Sequence, residues 1–272
     1  MEKWTQPECL KETQFRDGSN LNARIELHRR FSTNPQNLFD WVFDFLDAPK
    51  GSAILELGSG TGLLWASNLA RIGPEWRIIL SDLSDGMVEE ARGLLRDSGQ
   101  CFSFKAFDAQ SIPFEAEAFD VVIANHMLYY LPDIDRGLRE IHRVLRPGGV
   151  VLCSSVSIGQ HMAEVRELVR RHSPEYRGFT VTERFCMENG EEQLGKYFSD
   201  ICSHRHVDSL KVTDADLLLD YVMSSQDAAD FITGPSKEKI KGEVTDMIEA
   251  RGFFEIHKLA VLFEGRKPAI RG

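Results

Sequence analysis

The sequence ILELGSGTG occupies residues 54–62 and joins a short apolar strand to three glycines at alternate positions. The apolar run Ile54–Leu57 precedes Gly58, and an apolar helical pattern begins directly after Gly62. Glycine has no Cβ, so it allows a tight turn from strand to helix and lets a ligand lie against bare backbone. In an α/β protein, this arrangement is typical of a nucleoside-bearing cofactor held at the carboxyl end of the first strand.

Strand and helix patterns alternate from residue 53 onward. Most of the strand patterns are short apolar runs, which predict parallel strands covered on both faces. The predicted strands are Ala53–Leu57, Arg77–Ser81, Phe102–Phe107, Phe119–Ala124 and Val150–Ser154. Helical patterns lie between them at about residues 62–72, 85–97 and 134–145, and Pro147-Gly148-Gly149 is expected to end the last of these helices. The alternation predicts a doubly wound parallel sheet.

The rest of the chain is assigned around this core, and we predict a single domain over residues 1–272. Residues 1–50 form an N-terminal helical cover, with a weak helix at Asn20–Arg30 and a second helix that begins at Pro35. The cofactor-binding core spans residues 51–156, and residues 157–200 form a lid or substrate insertion with a helix at 160–171. Residues 201–272 complete the sheet, with helices at 213–224 and 236–250 between strands at 201–211 and Glu255–Phe263.

Composition narrows the class of protein. Its 272 residues carry a net charge of −10, which argues against a nucleic-acid partner because phosphate binding calls for a surplus of Lys and Arg on at least one face. Five scattered cysteines without a CxxC motif indicate free thiols in a reducing compartment. Neither a signal peptide nor an apolar run long enough for a membrane span is visible. We therefore expect a cytoplasmic protein without a membrane partner.

Two carboxylates follow the glycines at informative positions. Asp82 ends the second predicted strand, 20 residues after Gly62, where a carboxylate can accept both hydroxyls of a ribose. Asp108 ends the third strand, where it can accept from an exocyclic adenine amine. The alternatives are that Asp82 is only a helix cap and that Asp108 only opens a turn. Glu56 lies at the approach to the loop, where it would disfavour a pyrophosphate and favour an ammonium or sulfonium group.

Five segments carry a family resemblance over roughly residues 50–156. They read ILELGSGTG, IILSDLS, FDAQSIPF, FDVVIANHMLYYLPD and LREIHRVLRPGGVVL. In this order and spacing they resemble the class I S-adenosylmethionine-dependent methyltransferases, in the group of small-molecule enzymes similar to those of ubiquinone and menaquinone biosynthesis. The resemblance implies an α/β, Rossmann-like, doubly wound seven-stranded and mostly parallel sheet whose last strand is antiparallel. It also implies S-adenosyl-L-methionine as cofactor.

The resemblance further implies a role for each matching residue in cofactor binding. Glu56 is added to this set because its negative charge would favour an ammonium or sulfonium group. The implied contacts are Gly58, Gly60 and Gly62 with the aminoacid part, Asp82 with the ribose, Leu83 with adenine, Asp108 and Ala109 with the adenine edge, and Asn125 with the methionyl part. An N-terminal helix often covers the cofactor in this family, which makes Arg24 and His28 candidates as well.

Candidate catalytic and substrate residues follow the fourth and fifth strands. His126 and Tyr130 lie where the transferable methyl group is expected, and a histidine with a pKa near neutrality is a suitable general base. Tyr129 and His161 are predicted to contact the substrate, and aromatic faces can also hold a cation. The alternatives are that His126 packs beneath the next helix, that Tyr130 is only part of the wall, and that His161 lies on an exposed helix surface.

A polar row on a predicted strand raises the question of a metal. Cys202, His204, His206 and Asp208 alternate along the strand and so share one face, which can be the start of a zinc site. An exposed polar strand face gives the same pattern, and we predict no metal.

The expected activity is methyl transfer to a small organic acceptor by in-line displacement at the methyl carbon. One alternative uses the same cofactor differently, through transfer or cyclisation of the aminobutyrate arm with release of methylthioadenosine. Others are a non-catalytic S-adenosylmethionine-binding module and a nicotinamide oxidoreductase. The acceptor, the attacking atom, the need for a base and the oligomeric state are left open by the sequence.

Overall fold

One mixed sheet of seven strands forms the centre of the computed structural model, which describes residues 5–176, 178, 180–225 and 228–269. Its strands are β1 (Ala53–Leu57), β2 (Arg77–Asp82), β3 (Phe102–Ala106), β4 (Phe119–Asn125), β5 (Leu145–Val156), β6 (Ser199–Val212) and β7 (Phe254–Arg266). They lie in the order β3-β2-β1-β4-β5-β7-β6, and β7 is antiparallel to both neighbours. The predicted fold class is therefore confirmed.

The parallel part of the sheet creates the cleft that the sequence predicted. β1 pairs in parallel with β2 on one side and with β4 on the other, so the strand order reverses beside β1. Connections from the two neighbouring strands leave on opposite sides at such a switch point and open a crevice at the carboxyl ends of the strands. All five residues of β1 are buried, as expected for a central strand covered on both faces.

Eleven α-helices surround the sheet in the described part of the chain. They are α1 (Pro7–Cys9), α2 (Ser19–Phe31), α3 (Leu38–Phe43), α4 (Leu63–Ala66), α5 (Asp85–Leu95), α6 (Ile134–Val144), α7 (Ala163–His172), α8 (Gly190–Leu194), α9 (Ala215–Met223), α10 (Ala228–Phe231) and α11 (Gly234–Arg251). None of these helices combines the length and the apolar character that crossing a bilayer requires. The five cysteines are free thiols.

Several element boundaries differ from the sequence-based prediction, most clearly at the starts of α3 and β5 and at the end of α4. The helix predicted from Pro35 begins at Leu38, because the Asn37 side chain caps it by accepting from the backbone N–H groups of Phe39 and Asp40. The helix predicted over 62–72 ends at Ala66 and is followed by a 3₁₀ turn at Leu69–Arg71.

The third difference concerns the start of β5. The strand begins at Leu145 instead of Val150, so the Pro147-Gly148-Gly149 segment lies within β5 and does not end α6. Gly148 has a left-handed φ of 79°, and its N–H donates to the Lys267 carbonyl, while the Lys267 N–H donates back to Gly149. This reciprocal pairing past the end of β7 extends the strand through glycines that would otherwise terminate it.

The segment between β5 and β6, predicted to be a lid, is fastened to the loop after β4. The segment contains α7, a 3₁₀ helix at Thr180–Arg184 and α8. The guanidinium of Arg184 donates to three backbone carbonyls of that loop, those of Tyr129, Leu131 and Pro132, at 2.6–2.9 Å. Arg184 thereby fixes the position of the loop that carries the predicted catalytic residues. Residues 177 and 179 of the predicted lid, 1–4 of the N-terminal cover and 226–227 and 270–272 of the C-terminal region lie outside the described residues.

Candidate functional site

The glycine loop after β1 has the backbone conformation that its sequence predicted. Gly58, Gly60 and Gly62 have left-handed φ values of 63°, 53° and 81°. A Cβ on Gly58 would lie 2.7 Å from the Met127 side chain, and one on Gly60 would lie 2.9 Å from the Leu21 side chain. Side chains are therefore excluded here both by backbone conformation and by lack of space. The loop keeps its backbone accessible to a ligand.

A cavity of about 790 Å³ extends from this loop, which is within the usual range for small-molecule sites. Its wall includes nearly all of the residues that the sequence singled out: Glu56, Gly58, Gly60, Asp82, Leu83, Asp108, Ala109, Asn125, His126, Tyr129, Tyr130 and His161. Gly62 is the exception. It precedes α4, and a Cβ there would meet Ala91 and Leu95 of α5 at 3.2 Å, so its position allows the helices to pack closely.

Asp82 faces the glycine loop from the end of β2. One carboxylate oxygen accepts from the Gly60 N–H at 3.0 Å and the other from the Ser84 N–H at 3.0 Å. Burial raises the pKa of Asp82, while these hydrogen bonds counteract the shift. The helix-capping alternative is not what the structure shows, because Ser84 caps α5 by accepting from the Met87 N–H. Asp82 holds the loop in place and presents its remaining lone pairs to the cavity.

Asp108 forms the turn that one alternative predicted and also lies on the cavity wall. Its carboxylate accepts from the backbone N–H of Gln110 at 2.8 Å, which makes the turn that one alternative predicted. The same residue lines the cavity beside Ala109 and Leu83. Turn formation therefore leaves Asp108 on the cavity wall.

Glu56 lies at the centre of a buried polar network. Its carboxylate accepts from the Trp65 indole N–H at 2.7 Å and from the Asn125 side chain, and the Ser154 hydroxyl donates to the Asn125 side-chain oxygen at 3.0 Å. Burial raises the pKa of Glu56 to about 7, although the hydrogen bonds from Trp65 and Asn125 oppose the rise. Near neutral pH, the Glu56 carboxyl can therefore lose its proton when a cationic group binds beside it.

His126 occupies a strained position directly after β4. Its φ is +50°, a left-handed conformation uncommon for residues other than glycine, and its N–H donates to the Ser154 carbonyl at 3.1 Å. Its Nε2 is buried without a hydrogen-bond partner among the described residues. Burial lowers the pKa of His126 to about 4, helped by the nearby Lys258 ammonium. The near-neutral pKa expected from the sequence is therefore wrong, and the imidazole is neutral at physiological pH.

Two further histidines line the same cavity. His161 precedes α7, and His28 lies on α2. Each has a buried Nδ1 that accepts or donates no hydrogen bond within the described part of the chain. Burial lowers the pKa of both side chains, that of His161 to about 3. The exposed-surface alternative for His161 is thus wrong, because its ring faces the cavity.

The polar row on β6 does not assemble into a metal site. His204 packs on Phe45 with ring centroids 4.2 Å apart, His206 lies 3.1 Å from the Gln36 carbonyl, and Cys202 is exposed. Asp208 forms a buried ion pair with Lys258 at 2.7 Å. Across residues 5–176, 178, 180–225 and 228–269, no group of three or more His, Cys, Asp or Glu side chains could hold a metal ion.

Several cavity residues had no signal in the sequence. Lys258 and Tyr221 reach the wall from β7 and α9, and Arg166 reaches it from α7. Lys258 belongs to a strand predicted only from its apolar residues, and the cross-strand register that places it beside Asp208 is not visible in sequence spacing. Phe15 and Leu21 of the N-terminal segment also line the cavity and close it above the glycine loop.

Comparison with known proteins finds similarity to methyltransferases. A methyltransferase domain model matches residues 55–153. The ubiquinone/menaquinone biosynthesis C-methyltransferase of Idiomarina loihiensis is 35% identical over 114 residues, which cover 41% of this chain and 45% of the relative. That of Shewanella baltica is 34% identical over 123 residues, covering 44% of this chain and 49% of the relative. The matched part of the chain thus spans about half the length of these curated relatives.

Solved structures share the fold over most of the chain. A phosphoethanolamine N-methyltransferase of Haemonchus contortus, solved with phosphomonomethylethanolamine and S-adenosylhomocysteine, aligns with a TM-score of 0.59 at 18% identity and covers 95% of this chain and 59% of its own. A solved cyclase aligns with a TM-score of 0.54 at 23% identity, covering 85% of this chain and 81% of its own. The same fold therefore occurs in proteins whose names describe different reactions.

The cavity fits S-adenosyl-L-methionine, the cofactor of the methyltransferase family. The two glycines on the wall leave a cradle that a Cβ would fill, and Ser59 between them has a buried hydroxyl oxygen without a hydrogen-bond partner in the described chain. Asp82 offers acceptors for the ribose hydroxyls, and the ionisable Glu56 matches a cationic group. These are the donor and acceptor types that such a cofactor needs.

We predict that Asp82→Ala weakens S-adenosylmethionine binding by about 1–3 kcal/mol, since ribose hydroxyls would lose their buried acceptor. Isothermal titration calorimetry would measure the change as roughly a 5- to 150-fold increase in Kd. Asp85→Ala, at an exposed position on α5, serves as the control and should leave Kd unchanged. An unchanged affinity in Asp82→Ala would remove Asp82 from the ribose site.

We also predict that cofactor binding releases protons near pH 7. A bound cation would lower the pKa of Glu56 from its raised value of about 7, so affinity should increase as pH rises from about 6 to 8. Calorimetry in buffers of different ionisation enthalpy would measure the released protons. Glu56→Gln should abolish the release, whereas Glu89→Gln on the exposed face of α5 should retain it. Equal release from both variants would contradict the role of Glu56.

Proposed function

We propose that this chain, as a class I S-adenosylmethionine-dependent methyltransferase, transfers the cofactor's methyl group to a small organic acceptor. The observation that carries the proposal is the single cavity that joins the left-handed glycine loop to an aromatic and histidine-rich wall. Its volume of about 790 Å³ supports the proposal that an acceptor can bind beside the cofactor. The named activities of the relatives, C-methylation and N-methylation, support methyl transfer without specifying the acceptor.

The roles of individual residues follow from their positions on the wall. When bound, the cofactor supplies an electrophilic methyl carbon attached to a sulfonium. Gly58 and Gly60 would hold its aminoacid part against bare backbone, with Gly62 shaping the turn. Asp82 would orient the ribose, and Leu83, Asp108 and Ala109 would bind the adenine. Glu56 and Asn125 would face the methionyl part from the buried network that joins them.

The acceptor would lie against His126, Tyr129, Tyr130 and His161. The rings of Tyr129 and Tyr130 are 4.7 Å apart, and Phe15 packs edge-on against Tyr130 at 5.1 Å. This packing supports a closed site that excludes water and holds the reactants in line. Such positioning is the main source of rate acceleration for an in-line displacement. His126 can accept a proton from an O–H or N–H nucleophile, because its neutral imidazole has an unused Nε2. A free amine, a stabilised carbanion or an oxygen that is already ionised would need no base, and the other tautomer of His126 would then donate a hydrogen bond from Nε2.

Analysis of the products distinguishes this function from its alternatives. The protein is incubated with S-adenosylmethionine and pools of small organic acceptors, and the nucleoside products are separated by chromatography. Acceptor-dependent formation of S-adenosylhomocysteine is expected. Methylthioadenosine would instead indicate aminobutyrate-arm chemistry, and tight binding without turnover would indicate a binding module.

Gly60→Val provides the matched control for the product assay. The substitution adds side-chain atoms where a Cβ already meets Leu21, and it places a β-branched residue at a φ of +53°, so it should abolish cofactor binding and turnover together. Tight binding of NAD in place of S-adenosylmethionine by the unmodified protein would contradict the proposal and favour an oxidoreductase.

We predict that His126→Asn lowers kcat by about 10²–10⁴-fold if His126 is the general base, with little change in cofactor affinity. Asn tolerates the left-handed conformation of this position, so the loop should stay folded. Only the neutral imidazole accepts a proton, so kcat/KM of the unmodified protein should fall only as pH drops toward about 4, the pKa of His126. His257→Asn, at an exposed site, is the control. A decline centred near pH 6.5, or full activity in His126→Asn, would exclude the role.

A further inference from the structure

Three histidines on the cavity wall come from three different parts of the fold. His28 belongs to α2, His126 follows β4, and His161 precedes α7. We call these three residues the histidine cluster. They influence one another electrostatically, since His161 and His126 both lower the pKa of His28, and His126 lowers the pKa of His161. Elements far apart in sequence thus bring three imidazoles to the wall of one cavity.

Each member of the histidine cluster keeps one buried ring nitrogen without a hydrogen bond to the described residues. A buried polar atom left in this state costs about 1–3 kcal/mol, so each of the three nitrogens would gain from a ligand that forms a hydrogen bond with it. A neutral imidazole carries one N–H and one lone pair, and a change of tautomer can turn the N–H toward the cavity. The cluster can therefore donate several hydrogen bonds to a single group.

Three cationic side chains, those of Lys258, Arg24 and Arg166, share the cavity wall with the histidine cluster. Lys258 lowers the pKa of all three histidines, and Arg24 and Arg166 act in the same direction on His28 and His161 respectively. Asp208 acts in the opposite direction on the pKa of His161. An anion placed among the imidazoles would be attracted by the same field that disfavours their protonation.

Asp208 holds Lys258 on the cavity wall through a buried ion pair. Its carboxylate accepts from Lys258, from the Ser32 hydroxyl and from the backbone N–H groups of Asn34 and Ser209 at 2.7–3.0 Å. Lys258 and Asp208 both line the cavity, and Lys258 lowers the pKa of all three histidines. The ion pair thus fixes the Lys258 ammonium on the cavity wall.

Aromatic side chains beside the cluster indicate the shape of the ligand. Tyr221 packs edge-on against His28 with ring centroids 5.8 Å apart. Tyr129, Tyr130 and Phe15 continue this surface along the cavity wall. Aromatic faces and edges form favourable contacts with planar rings. The site thus combines an apolar, aromatic wall with one concentrated group of donors.

We propose that the acceptor is a planar, aromatic small molecule whose anionic oxygen, a carboxylate or a phenolate, binds among His28, His126 and His161. This inference rests on the proposed methyl-transfer function and specifies its substrate class. Cationic acceptors are disfavoured at this position by Lys258 and the nearby arginines. The anion replaces the missing hydrogen-bond partners of the cluster.

Binding of matched probes tests the proposal directly. The protein is saturated with S-adenosylhomocysteine, and Kd is measured by calorimetry at pH 8 for benzoate and benzamide and for 4-nitrophenolate and 4-nitroaniline. Each pair has a similar shape and differs in charge. At least one anion should bind about tenfold or more tightly than its neutral partner, in line with charge-assisted hydrogen bonds. The pair that shows the preference distinguishes a carboxylate acceptor from a phenolate acceptor.

Variants identify the groups responsible for this preference. His28→Phe and His161→Phe keep a ring and remove its nitrogens, and the double variant should reduce the preference to less than about threefold. His204→Phe is the matched control, because His204 also has a buried ring nitrogen without a hydrogen-bond partner in the described chain but lies outside this cavity. It should retain the preference. Binding of S-adenosylhomocysteine by each variant confirms that the cofactor half of the site is folded.

Two results would overturn the inference. One is that neither anion binds better than its neutral partner to the cofactor-saturated protein, including the case in which no probe binds. The other is a preference that survives in the double variant. Either result leaves the product assay for methyl transfer unaffected, so failure of this inference is distinguishable from failure of the proposed function.

Discussion

The left-handed backbone at Gly58 and Gly60 is the constraint on which the rest of the site depends. Positive φ values turn the chain from the carboxyl end of β1 toward α4 without placing side chains over the switch point. Asp82 then fixes the turn from the neighbouring strand through the Gly60 N–H. Met127 and Leu21 pack so near the two glycines that a Cβ at either position would collide with them. The loop therefore leaves its backbone accessible to a ligand and allows Met127 and Leu21 to pack closely against it.

The second half of the cavity is built on the strands next to β1. Ser154 of β5 donates to the Asn125 side chain and accepts from the His126 backbone, so the loop after β4 is anchored to its neighbouring strand. Arg184 anchors the following residues of the same loop from the opposite side. A strained φ at His126 is maintained between these two attachments. This is a rigid setting for groups that must face a reacting ligand.

Much of this arrangement follows from local sequence. The five predicted parallel strands, the glycine turn and the acids after β2 and β3 are set by apolar runs, glycine spacing and strand ends, and all of these are short-range patterns. The ends of helices and strands were less predictable where a side-chain cap or pairing with a distant part of the chain sets them. Asn37 relocated the start of α3, and pairing with Lys267 extended β5 through Gly148.

The electrostatics of the site depend on contacts between distant parts of the chain. The sequence indicated His126 and His161, but it could not show that burial and Lys258 lower the pKa of His126 to about 4. Likewise, the Asp208–Lys258 pair arises from the register of two long antiparallel strands, and His28 reaches the cavity only because α2 packs across it. These features determine the charge of the histidine-lined part of the cavity, whereas the motifs determine the glycine loop and the acids beside it.

The central claim is that one cavity holds the cofactor at the glycine loop and the acceptor at the histidine cluster. A crystal structure of the protein with S-adenosylhomocysteine tests it most directly. The account predicts adenine beside Leu83 and Ala109, the ribose hydroxyls on Asp82, and the sulfur directed toward His126 and Tyr130. Adenine bound among the histidines, or a sulfur directed away from them, would contradict it.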